Sequence, residues 1–166
     1  IRDEDPVIFL EHKRTYRLVR GEVPDEEYTI PLSSADVKLE GEDLSVITYG
    51  LMVHHCLEAA QTLADEGVSV EVVDLRTLRP LDSETILESV RKTGKALIVH
   101  EDSKAGGIGG EVASIIGEEA FEYLDGPVTR LAGPEVPAMP FSPAMEAMYM
   151  LDSDKIADAM RKLAAY

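Results

Sequence analysis

Leu44-Ser45-Val46-Ile47-Thr48-Tyr49, closed by Gly50, is followed by Val53, Cys56, Leu57, Ala60, Leu63 and Ala64, with Gly67 behind them. The first six residues are rich in strand-favouring types and lack the strict alternation of a half-exposed strand. The later ones recur at three- and four-residue spacing, the period of one helix face. Val68-Ser69-Val70-Glu71-Val72-Val73 reads as a second strand. Asp82-Ser83-Glu84 supplies a cap for a helix carrying Ile86, Leu87 and Val90, which Gly94 ends. Ala96-Leu97-Ile98-Val99 follows as a third strand. Strands that are apolar on both faces and alternate with helices call for a parallel sheet covered on both sides. The expected class is α/β: a three-layer α/β/α arrangement with a mostly parallel sheet.

The same alternation continues downstream. Val112, Ile115, Ile116 and Ala120 mark a helix, and Val128-Thr129-Arg130-Leu131 a fourth strand. The four prolines between Gly133 and Pro143 impose an irregular connection, and Ile156, Ala159, Met160 and Leu163 define a C-terminal amphipathic helix. Upstream, Val7-Ile8-Phe9-Leu10 is expected to be a short strand, followed by the basic Glu11-His12-Lys13-Arg14. Tyr28-Thr29-Ile30-Pro31-Leu32 has strand composition that Pro31 restricts to an edge or an end. The chain opens on Ile1 rather than Met and enters a strand almost at once, so we expect a piece of a longer polypeptide. The expected divisions are 1–17, an end of a preceding domain; 18–40, a linker and edge strand; and 41–166, the α/β domain.

Composition narrows the partners. The 166 residues include 16 Lys+Arg and 32 Asp+Glu, a formal net charge of -16. Nucleic acids and anionic membranes are polyanions and are disfavoured; a basic protein partner, or solvation alone, is the compatible reading. The single cysteine, Cys56, excludes an internal disulfide and a multi-thiolate metal site. No apolar run approaches the length of a bilayer span, and no signal peptide opens the chain.

Few residues stand out as chemistry. Gly106-Gly107-Ile108-Gly109-Gly110 lies between a strand and a helix, but it lacks the Lys-Ser/Thr of a P-loop and the third glycine of a dinucleotide fingerprint. A tight turn that seats a helix close to the sheet is the favoured reading. His54 and His55 are adjacent on a helix and point about 100° apart, a poor chelating pair. His100-Glu101-Asp102 follows the third strand, at the end of a parallel sheet where ligands bind, without a nucleophile or oxyanion device beside it. Asp74, Arg76 and Arg79 read as an ion-pair network. The acidic run from Glu118 to Asp125 is read as a helix end with four carboxylates and one covering cation, Arg130. Glu118 and Glu122 repel at i,i+4, and acids near a helix C-terminus oppose its dipole. A segment that breaks two local rules is a candidate interaction site.

Several phrases carry a resemblance. Asp5-Pro6-Val7-Ile8-Phe9-Leu10-Glu11-His12-Lys13-Arg14 resembles the end of the pyrimidine-binding domain in 2-oxo acid dehydrogenase E1 β subunits. Tyr28-Thr29-Ile30-Pro31-Leu32 through Val46-Ile47-Thr48-Tyr49-Gly50 is similar to the linker and first strand of their C-terminal domain. Val73-Asp74-Leu75-Arg76-Thr77-Leu78-Arg79-Pro80-Leu81-Asp82 and His100-Glu101-Asp102 match further family phrases. The tail from Arg130-Leu131-Ala132-Gly133-Pro134-Glu135 resembles the branched-chain type, with pyruvate- and acetoin-type β subunits as the nearest rivals.

The resemblance implies a transketolase C-terminal-like domain within an α2β2 enzyme that uses thiamine diphosphate and Mg2+. That enzyme decarboxylates 2-oxo acids and acylates the lipoyl group of E2. It implies no catalytic, cofactor or metal residue in this chain, and residues Arg2 to Tyr16 as the end of the N-terminal domain. The implied partners are the E1 α subunit, a second β subunit and the basic peripheral subunit-binding domain of E2. Asp125 falls at a matching acidic position and the carboxylate of Tyr166 at the family's chain end; Glu122 is added by proximity. The neighbouring family acid, four positions on, is Thr129 here. The implied location is cytoplasmic in a bacterium, or the mitochondrial matrix in a eukaryote. The rival from another class is a stand-alone ligand-binding domain that uses the glycine loop and His100.

Overall fold

The computed structural model describes residues 2–166. In chain order the elements are α1 (Thr15–Leu18), β1 (Asp36–Leu39), β2 (Leu44–Thr48), α2 (Met52–Asp65), β3 (Val70–Asp74), α3 (Ser83–Thr93), β4 (Ala96–Ser103), α4 (Gly109–Glu119), β5 (Thr129–Gly133), α5 (Pro143–Tyr149) and α6 (Ser153–Ala164), with a 3₁₀ turn at Phe121–Tyr123. The strands form one sheet in the order β1-β3-β2-β4-β5; β1 runs antiparallel to β3 and all other neighbours are parallel. The expected three-layer, mostly parallel arrangement is therefore what forms.

Alternation along the strands assigns the two cores. Leu44 and Val46 of β2, Val70 and Val72 of β3, and Leu97 and Val99 of β4 pack against α2 and α6. Ile47, Ala96 and Ile98 point the other way, onto Ile86, Leu87 and Val90 of α3 and Val112 and Ile116 of α4. All five residues of β2 are buried. Its one buried hydroxyl on the α3 side, Ser45 Oγ, bonds Ser89 Oγ at 2.6 Å and Thr93 Oγ1 at 2.7 Å, so the polar atoms under α3 satisfy one another. Glu71 is the buried charge of β3. It is buried, paired with Lys92 of α3, and accepts the Gly41 N–H at 3.3 Å. A buried carboxylate tolerates that position only while its cation stays in place.

Local rules account for the helix ends. Asp82 caps α3 by accepting Thr85 N–H at 3.1 Å, and it also accepts Ala35 N–H at 2.8 Å, tying the linker before β1 to the helix. Asp152 caps α6 through Lys155 N–H at 2.8 Å.

Four sequence expectations fail here. Val7–Leu10 forms no strand, and Ile8, Phe9 and Leu10 stand exposed; strand propensity is not realised without a partner strand to complete its hydrogen bonds. Tyr28–Leu32 likewise forms no strand, and the edge strand is the next segment, β1. The acidic run is not one helix. α4 ends at Glu119, a 3₁₀ turn follows, and Asp125 lies beyond both. Finally, Arg79 does not join Asp74 and Arg76: Arg76 pairs with Asp36 on β1 while its N–H donates to Asp74, and Arg79 lines a groove beside the glycine loop. α5 was not expected at all; Pro143 at its first turn is compatible with a helix start, which the surrounding prolines concealed.

The glycine loop has a physical cause inside the protein. His100, at the end of the buried part of β4, is fully enclosed and stacks on Tyr49, with ring centroids 6.4 Å apart and planes 19° apart. A Cβ on Gly109 would sit 2.4 Å from His100 Nε2, and one on Gly107 2.7 Å from Cε1. The glycines let α4 begin directly over that ring. Burial holds the His100 pKa below the ordinary imidazole value, against the opposing pull of the nearby Asp102, with Arg130 adding to the depression.

Two outcomes follow. Gly109→Ala should destabilise the protein by about 1–3 kcal/mol in chemical denaturation, although alanine favours helix, because the enclosed ring cannot retreat. An unchanged midpoint would contradict this packing. Because the native imidazole takes up its proton less readily than the unfolded one, it contributes stability above the unfolded pKa of about 6.5 and loses it as pH falls below. The melting temperature should therefore drop more between pH 7.5 and pH 5 in the native protein than in His100→Gln; parallel slopes would exclude His100 as the acid-sensitive group.

Candidate partner-binding site

The amino ends of β4 and β5 meet at one corner, and three chain segments converge there. α3 stops at Gly94, left-handed at φ 69°, whose N–H donates to Val90 O at 2.9 Å. After α4 and its 3₁₀ turn the chain returns to the same place, where Asp125 N–H donates to Gly94 O at 2.7 Å. A Cβ on Gly94 would lie 2.4 Å from Asp125 Oδ2, so the close approach of this carboxylate depends on glycine for space as well as for conformation. The end of α6 closes the corner from the other side: a Cβ on Gly126 would lie 3.3 Å from Tyr166 Cβ and 3.5 Å from Leu163 Cδ1. Lys95 Nζ holds that end by donating to Ala164 O at 3.0 Å.

Asp125 and Tyr166, remote in sequence, are thus brought together on either side of Gly126. Glu122 stands exposed in the neighbouring 3₁₀ turn, Phe121–Tyr123. The turn also exposes Phe121 and Tyr123, and Arg91 of α3 lies over the Tyr123 ring, 5.7 Å from its centroid. These aromatics were missed in the sequence; their signal was the interleaving of Phe121 and Tyr123 with acids, which reads as an ordinary helix face until the helix is seen to end. The cation assignment also changes. Arg130 does not cover the acidic run: its Nη1 donates to Lys104 O at 3.0 Å, and the basic groups that reach the corner are Arg91 and Lys95. The corner therefore presents exposed carboxylates beside exposed aromatic surface, with its cations engaged on a ring face and a backbone carbonyl. Such a surface suits a basic partner with an apolar contact of its own.

The histidines, Arg79 and the glycine loop singled out in the sequence lie at the opposite, carboxyl edge. His100 is sealed beneath the glycine loop. Glu101 reaches out and binds His12 Nε2 at 2.9 Å. Leu78, Arg79, Pro80, Leu81, Ile108 and Glu111 are among the residues around an open groove of about 1010 Å³ beside that loop. Gly110 N–H is already spent on Gly107 O at 3.0 Å, and Glu111 stands in the first turn of α4, so the loop offers little to an anion. His54 is exposed, and His55 Nδ1 lies 4.0 Å from Glu58 on its own helix. Among the described residues no three His, Cys, Asp or Glu side chains converge as metal ligands, and no helix is long and apolar enough to cross a membrane.

Comparison with known proteins gives this geometry a family. The chain is 56% identical over all its 166 residues to the 2-oxoisovalerate dehydrogenase subunit beta of Bacillus subtilis (strain 168), of which it covers 51%. It is 51% identical over 163 residues to the pyruvate dehydrogenase E1 component subunit beta of the same organism, covering 50% of it. It is 48% identical over 162 residues to the acetoin:2,6-dichlorophenolindophenol oxidoreductase subunit beta of Cupriavidus necator, covering 47%. The chain thus spans about half the length of these curated relatives. Among solved structures, a split-gene transketolase in an inactive beta4 tetramer superposes with a TM-score of 0.75 at 30% identity, over 87% of this chain and 46% of that one. The profile described as "Transketolase, C-terminal domain" matches residues 33–156, from just before β1 into α6. Sheet order, buried β2 and the profile agree: the chain belongs to the transketolase C-terminal domain family.

Proposed function

We propose that this chain is the C-terminal assembly and partner-binding part of the β subunit of a branched-chain 2-oxo acid dehydrogenase E1. In that reading the full enzyme is an α2β2 heterotetramer that decarboxylates 2-oxo acids and acylates the lipoyl group of E2. The observation that carries it is identity across the whole chain, 56% to the 2-oxoisovalerate subunit against 51% and 48% to the pyruvate and acetoin subunits. Residues 41–166 would form the assembly domain, 18–40 the linker and edge strand, and 1–17 the end of the preceding domain. The bacterial relatives favour a cytoplasmic location.

In that reading thiamine diphosphate and Mg2+ are held by other parts of the enzyme. A Mg2+-diphosphate needs several hard oxygen ligands and free backbone donors. The glycine loop is committed to His100 and to its own turn, and no ligand cluster forms among the described residues. The residues present do not fit the group, and no catalytic step is assigned to them.

For the corner of Glu122, Asp125 and Tyr166 we propose docking of E2's basic peripheral subunit-binding domain. Support comes from the convergence of Asp125 with the end of α6 and from the net charge of -16. Long-range attraction would steer the basic domain in, and the exposed aromatics would hold it. Calorimetry of the assembled α2β2 enzyme with the isolated subunit-binding domain tests this. Binding should weaken with added salt, and Asp125→Lys should raise Kd by about tenfold or more, with a smaller effect from Glu122→Lys. Salt-insensitive binding that ignores Asp125→Lys would remove the docking role and leave the family assignment untouched.

A further inference from the structure

Where the end of α1 meets the start of α2, the two segments line a cleft of about 320 Å³. That is the lower end of the roughly 300–1,000 Å³ of small-molecule sites. Leu18, Val19 and Leu51 supply apolar surface, and Arg20, His54 and His55 supply donors. Glu58 is the one carboxylate among the lining residues; it lies 4.0 Å from His55 Nδ1 and one helical turn beyond His54. The segment that carries Arg20 is tied to the sheet. His12 Nε2 lies 2.9 Å from Glu101 Oε2 on β4, and Thr15, which opens α1, bonds His12 O through its N–H at 2.9 Å and its hydroxyl at 2.7 Å.

Charge sets this cleft apart. The chain has 32 acids against 16 bases, yet residues 13–20 contain Lys13, Arg14, Arg17 and Arg20 and no acid. Among the described residues none of these four cations is ion-paired. Arg20 is therefore uncommitted where two imidazoles and an apolar surface share its cavity. A guanidinium holds a carboxylate in a fork of two N–H donors, and an imidazole N–H can add another. The apolar lining rewards an alkyl group for leaving water. Glu58 opposes a second negative charge, so a monoanion suits the cleft better than a dianion.

We propose that this cleft binds a monocarboxylate with a short aliphatic chain, the carboxylate on Arg20 with His54 and His55 and the alkyl group on Leu18, Val19 and Leu51. The site is separate from the Asp125 corner and does not depend on the E1 β reading.

NMR titration of the intact 166-residue chain with hexanoate tests this. The imidazole signals of His54 and His55 should move saturably with a Kd of about 1 mM, while those of the enclosed His100 stay fixed. Acetate, which lacks the chain, and inorganic phosphate, which also carries extra charge, should each bind about tenfold more weakly or worse. Arg20→Gln and Leu18→Asp should each raise the Kd for hexanoate by about tenfold. Both side chains are exposed, and a melting temperature unchanged without hexanoate would show that the fold is intact. Three results overturn the proposal: no saturable shift at His54 or His55, hexanoate binding indifferent to both substitutions, or acetate or phosphate binding as tightly as hexanoate. Loss of docking at Asp125 in the assembled enzyme would leave this site untouched, so the two fail separately.

Discussion

β2 has no residue in contact with solvent, and every other division of the molecule follows from that. A central strand buried on both faces needs a helix layer above and below, so α2 and α6 close one side and α3 and α4 the other. With both faces spent on burial, the polar and functional side chains are confined to the two ends of the strands. Parallel strands make those ends unequal. Helix N-termini gather at the carboxyl edge, while at the amino edge the incoming loops must make tight returns such as the one at Gly94.

The two edges are accordingly specialised. The amino corner gathers carboxylates and aromatics from segments far apart in the chain, held by backbone bonds at Gly94 and by the packing of α6 on Gly126. The carboxyl edge carries the enclosed His100 under its glycine loop and charges paired within the chain, Arg76 with Asp36 and His12 with Glu101. Electrostatic attraction acts over a distance of about 10 Å and falls with salt, whereas apolar contact acts only on touching and persists. The exposed carboxylates and aromatics of the amino corner are thus separated from the enclosed imidazole and its loop by the length of the strands.

The core was legible in the sequence because its signals are strong and local. β2, β3 and β4 are buried on both faces and rich in apolar residues, the helices between them keep their period, and Asp82 and Gly94 punctuate α3 where cap rules put them. What was misread depended on partners. Val7–Leu10 has the composition of a strand but no neighbour to bond. α5 hides among prolines. The acids from Glu118 to Asp125 look like one helix until Ala120 leaves helical geometry at φ -132°. The amino corner was legible only as chemistry: Asp125 could be marked as an acid of interest, but its approach to Gly94 and the packing of Tyr166 on Gly126 are tertiary and leave no short-range trace. The cation near the acids was misassigned for the same reason, since Arg130 turns toward Lys104.

Gly107 and Gly109 owe their identity to an imidazole beneath them rather than to a ligand above. Pattern searches that equate glycine clustering after a strand with nucleotide recognition will therefore return false positives throughout sheets of this kind. Drift in such a loop should track the residue at the end of the adjoining strand: were His100 to become small, the requirement for glycine would relax and bulkier residues could accumulate there. Covariation between those positions, rather than the glycines themselves, would then distinguish a loop built around its own interior from one built around a phosphate.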